Sequence, residues 1–228
     1  LNARPVLGDL FETGRIDVVA VSDLPQAPAT VFFQGASGVF QGRPALEPDH
    51  AILTTAHSAV IADLSGDGHL DVLLGSSEGL ALKRVLEGEA GRIGALRNHE
   101  MEDIGSTSDV VSTVVGDFFG RGRVDVLILQ RMQGSPTTTP LMFQSLLPAQ
   151  RFFSIPNPAD ALGLEDLVGA NQMHALDWDR DGYTDLMATG PNGTTVWKRP
   201  SADLFETAYR DESLVGHGFA ALDLEPDG

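Results

Sequence analysis

The chain has 228 residues, 42% of them apolar, and its 32 acidic side chains outnumber 15 basic ones to give a formal charge of −17. This charge repels nucleic acid and anionic lipid, so neither is expected as a partner. The absence of cysteine excludes disulfides, zinc–thiolate sites and thiol catalysis. No apolar run reaches the roughly 18 residues that a transmembrane helix needs, so no membrane insertion is predicted for this segment.

Short apolar runs separated by glycine-rich turns predict β-strands along most of the chain. Residues 30–40 form two such runs around a Gly-Ala-Ser-Gly turn, which indicates a hairpin, and residues 140–153 and 194–198 have the same character. A short helix is predicted only at residues 159–169, where Gly163 disfavours it. The sequence therefore predicts an all-β fold.

A nine-residue acidic loop is the most informative motif. Residues 177–185 carry aspartate at positions 1, 3, 5 and 9 and glycine at position 6, and residues 63–71 repeat this layout with serine at position 3. Oxygens at alternate positions, with a backbone carbonyl near position 7, can surround one hard cation, and the glycine allows the turn. The alternative is a set of Asx turns that shape a hairpin without metal.

We predict that these two loops bind Ca²⁺, because the carboxylates packed into nine residues, four in residues 177–185 and three in residues 63–71, repel one another without a cation. The predicted ligands are Asp63, Ser65, Asp67, the backbone carbonyl of His69, Asp71, Asp177, Asp179, Asp181, the backbone carbonyl of Tyr183, and Asp185.

Three weaker copies share the same frame. They occupy residues 9–17, 117–125 and the stretch from residue 223, so that successive first aspartates are 54, 54, 60 and 46 residues apart. A period near fifty residues with strand-like repeats is typical of propeller blades. A third calcium site is possible only if a continuation of the chain supplies position 9; its ligands would be Asp223, Glu225 and Asp227.

The copy at residues 117–125 departs from the acidic pattern. Phe119 and Arg121 stand at positions 3 and 5, between Asp117 and Asp125. A guanidinium can pair with two carboxylates in the space that a cation fills elsewhere. We predict that this loop holds Arg121 in place of a metal.

The stretch VIADLSGDGHLDVLLG at residues 60–75, with a hairpin such as VFFQGASGVFQG, resembles the FG-GAP/VCBS repeat family. Integrin-alpha-like members of that family form seven-bladed β-propellers, and the T-cell immunomodulatory protein group of ectodomains shares some features with this chain. The resemblance implies four-stranded antiparallel blades, about four of them here, so that residues 1–228 form a partial propeller.

The resemblance also implies a function. We expect a non-catalytic, calcium-stabilised scaffold, outside the cytosol or at the cell surface, that recognises another protein or the remaining blades of its own parent chain. One alternative is a lectin-like module that binds glycan through Trp178, Trp197, Tyr183 and Tyr209. The other is the propeller of a polysaccharide-degrading enzyme. The sequence contains no recognisable catalytic motif, so no enzymatic activity is predicted.

Overall fold

A computed structural model describes residues 3–22, 30–44, 56–77, 79–85, 96–98, 108–146, 152–155, 157–200 and 204–215. These residues form four antiparallel sheets of four strands each, with the strands of every sheet hydrogen-bonded in chain order. We call the sheets blades 1 to 4. The prediction of an all-β fold with four-stranded antiparallel blades is confirmed.

The strands follow one another as simple meanders. Blade 1 contains β1 (Ala3–Gly8), β2 (Asp17–Ser22), β3 (Thr30–Gln34) and β4 (Phe40–Pro44). Blade 2 contains β5 (Ala56–Ala62), β6 (Asp71–Ser76), β7 (Gly79–Val85) and β8 (Leu96–Asn98). Blade 3 contains β9 (Asp109–Gly116), β10 (Asp125–Arg131), β11 (Thr138–Ser145) and β12 (Phe152–Ile155). Blade 4 contains β13 (Gln172–Leu176), β14 (Asp185–Gly190), β15 (Gly193–Lys198) and β16 (Glu206–Asp211).

The blades stack face to face in chain order. The first strand of each blade contacts the first strand of the next, from β1 through β5 and β9 to β13. Within β10, Val126 and Ile128 pack into the core shared with blade 2, whereas Leu127 and Leu129 pack into the core shared with blade 4. Because successive side chains of a strand point to opposite faces, a continuous apolar run fills both cores.

The connection between blades 3 and 4 differs from the single helix predicted at residues 159–169. Helix α1 spans Pro158–Leu162, and a 3₁₀ turn follows at Glu165–Leu167. The break falls at Gly163, which adopts a φ of 73° and donates its N–H to the carbonyl of Ala159 as a helix cap. Neither described helix is long and apolar enough to cross a membrane.

Gly75 in β6 marks a tight contact between blades 2 and 3. A Cβ atom at this position would lie 2.6 Å from Cγ1 of Val110 in β9 and 2.7 Å from Oγ of Ser58 in β5. Gly75→Ala is therefore expected to destabilise the fold by about 1–3 kcal/mol through overpacking, measured by urea unfolding.

Two variants make this measurement specific. Gly35→Ala is the matched control, because its Cβ would meet nothing closer than 3.5 Å and should change stability little. Combining Gly75→Ala with Val110→Ala should cost less than the sum of the two single substitutions, since the smaller Val110 side chain makes room. A neutral Gly75→Ala would show that the blades separate easily at this point.

Candidate metal-binding loops

Four nine-residue loops join the first and second strands of the four blades. They span residues 9–17, 63–71, 117–125 and 177–185, with position 9 of each loop opening the second strand. Each loop follows the first strand of its blade, and these first strands are neighbours, so the loops lie at the same edge of the stacked sheets.

The aspartate at position 1 holds the turn in every loop. Its two carboxylate oxygens accept the backbone N–H groups of positions 5 and 6. The donors are Thr13 and Gly14 to Asp9 (2.8 and 2.7 Å), Asp67 and Gly68 to Asp63 (3.1 and 2.9 Å), Arg121 and Gly122 to Asp117 (2.8 and 2.6 Å), and Asp181 and Gly182 to Asp177 (3.1 and 3.0 Å). The turn is therefore the same with or without further acidic residues.

Two positions of each loop have a left-handed backbone. Position 6 is glycine throughout, with φ of 72° at Gly14, 89° at Gly68, 68° at Gly122 and 86° at Gly182. Position 4 is also left-handed, and there two of the four residues are not glycine: Glu12 (53°), Gly66 (72°), Gly120 (60°) and Arg180 (61°). Glu12 and Arg180 each accept a strain of order 1 kcal/mol.

The aspartate at position 9 is buried in every loop. Asp17 is 1% exposed, and Asp71, Asp125 and Asp185 are 0% exposed. In blades 1, 3 and 4 its Oδ1 accepts the backbone N–H of the residue at the end of the third strand or just beyond it: Gln34 at 3.2 Å, Ser145 at 2.8 Å and Arg199 at 2.7 Å. In blades 1, 2 and 4 its Oδ2 accepts loop N–H groups, such as those of Ser65 at 2.9 Å and Trp178 at 2.7 Å, whereas Asp125 Oδ2 is buried without an ordinary hydrogen bond among the described residues. In blades 1 and 4 this carboxylate thus ties the loop to the sheet.

Burial raises the pKa of all four of these aspartates, and backbone hydrogen bonds oppose the rise. The largest described effect is at Asp125, whose pKa is raised to about 6 by burial, although Ser145 and the charge of Arg121 lower it. Because burial makes the ionised form of such a carboxylate costly, a nearby positive charge would stabilise that form.

In the fourth loop, three carboxylates converge. Oxygens of Asp177, Asp179 and Asp185 all lie within 4.8 Å of one another, a spacing that no other group of three acidic or histidine side chains meets among the described residues. Asp181 lies outside this group, and its Oδ1 accepts the N–H of Tyr183 at 2.8 Å. Lys198 Nζ stands 4.0 Å from Asp179 Oδ2. This triad is able to hold a metal ion.

In the second loop, buried oxygen atoms that lack ordinary hydrogen bonds indicate a metal site, whereas the fourth loop has a close group of three carboxylates. Ser65 Oγ and Asp71 Oδ1 are buried, and in the described part of the chain neither makes a hydrogen bond of ordinary geometry, although the Ser65 hydroxyl lies close enough to the Asp71 carboxylate to lower its pKa. Asp67 Oδ1 accepts the N–H of His69 at 2.9 Å, as Asp181 does for Tyr183 in the fourth loop. Buried oxygen atoms that accept no ordinary hydrogen bond, at positions 3 and 9, are suitable ligands for a hard cation, so the oxygen atoms of this loop suit Ca²⁺.

The first and third loops, for which no metal is predicted, lack the further acidic ligands. Positions 3 and 5 of the first loop are Phe11 and Thr13, and those of the third are Phe119 and Arg121, so neither supplies a third or fourth carboxylate. Residues Asp223, Glu225 and Asp227 lie outside the part of the chain that the structure describes.

The aromatic residues predicted for a sugar site are dispersed. Trp178 is 49% and Tyr183 37% exposed within the fourth loop, and Tyr209 is 44% exposed in β16, whereas Trp197 is 1% exposed in the core between blades 3 and 4. Sequence reasoning missed a small polar cleft next to Trp197, because its walls come from segments far apart in the chain. They include Asp166, Thr189, Asn192, Thr195, Trp197 and Arg210.

Asp125 gives the fold a pH dependence of known sign. Its folded-state pKa of about 6 lies above the ordinary aspartate pKa of 3.8, so between these two values the folded chain keeps a proton that the unfolded chain has lost. The stability that this retained proton contributes to the fold is lost as the pH rises from about 4 to about 6, and the total loss is about 3 kcal/mol. We expect wild type to lose more stability than Asp125→Asn across this range, measured by urea unfolding in chelator.

The difference between the two proteins isolates this group, because Asp17, Asp71 and Asp185 titrate with the same sign in both. Parallel pH profiles for wild type and Asp125→Asn would contradict the assignment.

Comparisons with known proteins agree with this architecture. Residues 9–74, which run from the first loop through most of β6, match the FG-GAP-like repeat family. No match was found among curated protein sequences. Among solved structures, the chain is similar to a lectin of Agrocybe aegerita that specifically recognises non-reducing terminal N-acetylglucosamine, with 17% identity and a TM-score of 0.51.

That similarity covers 90% of this chain and 51% of the lectin chain, so the chain spans about half the length of its structural relative. At this identity the likeness concerns the fold alone. The chain is an all-β array of four propeller-type blades, in which residues 9–74 match the FG-GAP-like repeat family.

Proposed function

We propose that this chain is a non-catalytic, calcium-stabilised recognition scaffold. The observation that carries the proposal is the second loop, where Ser65 Oγ and Asp71 Oδ1 are buried without ordinary hydrogen bonds among the described residues. Leaving such oxygens unsatisfied costs about 1–3 kcal/mol each, and a bound cation removes that cost. The carboxylate triad of the fourth loop supports the same role.

Calcium is the ion that suits these donors. It accepts six to eight oxygen ligands in flexible geometry, whereas Mg²⁺ demands a tighter octahedron. Asp63, Ser65, Asp67 and Asp71 would hold one ion, and Asp177, Asp179, Asp181 and Asp185 the other, with the carbonyls of His69 and Tyr183 as further ligands. Bound calcium supplies positive charge that keeps the buried position-9 carboxylates ionised.

A structural role for these carboxylates supports a non-catalytic function. Asp63, Asp71, Asp177 and Asp185 already accept backbone N–H groups that shape their loops. Loops of this kind fill at the calcium levels found outside the cytosol, and this supports an extracellular or secretory location. We propose that the scaffold presents its surface, including Trp178 and Tyr183, to another protein or to further blades.

Calorimetric titration with calcium is expected to find two sites. At free calcium 100 times the dissociation constant, each site adds about 2.7 kcal/mol of stability, which raises Tm by roughly 5–10 °C for a chain of this size. Equal melting in calcium and in chelator, without binding heat, would falsify the calcium proposal.

Two substitutions assign the sites without breaking the loops. Ser65→Ala removes a buried hydroxyl whose contact with Asp71 falls short of ordinary hydrogen-bond geometry, so stability in chelator should change little, while calcium affinity falls at least about tenfold. Asp179→Ala removes only a 4.0 Å ion pair with Lys198 among its described contacts, and one calcium per chain should be lost. A Ser65→Ala protein that melts lower in chelator would indicate a hydrogen-bonding role instead.

Glycan binding is the second candidate, favoured by the cleft beside Trp197 and by the glycan that the structural relative recognises. The cleft has a volume of about 10 Å³, the space of roughly one water molecule. Arg210 closes it with two bonds to Asp166, at 2.8 and 3.1 Å. A sugar would therefore need this ion pair to open.

Tryptophan emission tests the glycan candidate. The chain has 2 tryptophans, so Trp178→Phe leaves Trp197 as the only one, and it lines the cleft. If the cleft binds glycan, the Trp197 emission should change in a saturable way when an oligosaccharide with terminal N-acetylglucosamine is added. The emission should not change with a mannose-terminated control, and Arg210→Ala should alter the response. Unchanged emission with both sugars would leave protein recognition as the better proposal.

A further inference from the structure

The loop of blade 3 carries a positive side chain where the two candidate calcium loops carry a carboxylate. Arg121 occupies position 5 of the loop, which corresponds to Asp67 in blade 2 and Asp181 in blade 4. Position 3 is Phe119 in place of an oxygen ligand. The buried carboxylate at position 9, Asp125, is nevertheless retained and fully buried.

The guanidinium of Arg121 contacts the buried carboxylate that a bound cation would contact, because its Nη2 donates to Asp125 Oδ1 at 3.0 Å. From Arg121, Asp117 accepts only the backbone N–H, at 2.8 Å, which is the turn bond present in all four loops, so of the two aspartates predicted to pair with the guanidinium only Asp125 does so among the described ion pairs. With its amide oxygen turned towards the guanidinium, Gln144 accepts from Nη1 at 3.2 Å and from Nη2 at 3.1 Å. The cation thus bonds to a buried carboxylate and to a strand of its own blade.

Phe119 supports the guanidinium instead of supplying a ligand. The Cζ atom of Arg121 lies 4.9 Å from the centroid of the Phe119 ring, within the range of a cation–π contact. The buried Arg199 of blade 4 lies 4.9 Å from the same ring and 5.3 Å from that of Phe205. Phe119 and Arg121, at the two positions that carry candidate metal ligands in the second and fourth loops, therefore pack against each other, and Phe119 also contacts Arg199 of blade 4.

The formal charges agree with this substitution. The second loop has three aspartates, so a divalent cation would leave it at −1, and the third loop has two aspartates and one arginine among its ligand-type positions, which also leaves −1. The first loop gives the contrast, because its positions 3 and 5 are Phe11 and Thr13 and provide neither a ligand set nor a cation.

We propose that Arg121, supported by Phe119, is a built-in cation that makes the loop of blade 3 independent of metal. The residues at positions 3 and 5 then determine which loops bind calcium. This inference rests on the proposed function for the other two loops, but its central contact, from Arg121 to Asp125, exists without any metal.

The first experiment measures stability in chelator, where calcium plays no part. Arg121→Met keeps much of the side-chain length but leaves Asp125 buried without its cation, so Tm should fall by roughly 5 °C. Arg121→Lys keeps the charge but loses the planar pair of donors, so its Tm should fall less than that of Arg121→Met. An unchanged Tm for Arg121→Met would overturn the proposal.

The second experiment converts the loop. Phe119→Asp with Arg121→Asp places carboxylates at positions 1, 3, 5 and 9 and retains Gly122 at position 6, so calorimetry should count one more calcium than in wild type. Phe119→Ala with Arg121→Ala is the matched control and should add none. A folded double-aspartate variant without the extra site would overturn the claim that these positions select metal.

The two experiments separate the possible failures. If wild type binds no calcium while Arg121→Met still melts lower, the proposed calcium function fails and the built-in cation stands. If the double-aspartate variant does not fold, the melting of Arg121→Met decides the question alone.

Discussion

Each blade buries an ionisable carboxylate at the start of its second strand, and the acidic loop is arranged around it. Asp17, Asp71, Asp125 and Asp185 are at most 1% exposed. Transferring a carboxylate from water to a protein interior is costly unless hydrogen bonds and opposite charge compensate. Backbone N–H groups provide the hydrogen bonds, from the loop in blades 1, 2 and 4 and from the end of the third strand in blades 1, 3 and 4. The sheet and the loop therefore depend on the same side chain.

The blades differ in the group that provides the compensating positive charge. In blade 3 the guanidinium of Arg121 provides it through a 3.0 Å bond to Asp125. In blades 2 and 4 calcium is proposed to provide it. In blade 1 Asp17 has only N–H donors among its described partners, and burial raises its pKa. A loop whose turn is fixed by its first aspartate and its position-6 glycine tolerates all of these arrangements, because positions 3 and 5 are free to change without altering the turn.

The sequence was sufficient to predict the strands and the frame of the loops, because the alternation of apolar runs and the spacing of aspartate and glycine are visible in it, and the family resemblance implied the four-stranded blades. It could not reveal which oxygens lack hydrogen bonds. The spacing alone predicts Ser65 and Asp71 as ligands, but their complete burial is a property of the folded chain. It also could not show that Glu12 and Arg180 adopt a left-handed backbone, since neither residue type favours it. The cleft beside Trp197 was missed because Asp166 and Arg210 meet only through the tertiary fold.

Position 2 of the loops connects metal binding to the molecular surface. Leu10, Leu64 and Phe118 occupy this position in blades 1 to 3, and each is at most 1% exposed in the core shared with the following blade. The equivalent residue of blade 4 is Trp178, which is 49% exposed. Its backbone N–H donates to Asp185 Oδ2 at 2.7 Å, and it lies in sequence between two members of the carboxylate triad. An ion held by that triad would therefore also fix the position of a large exposed aromatic side chain, so that the same loop sets both the stability of blade 4 and the shape of the surface it presents.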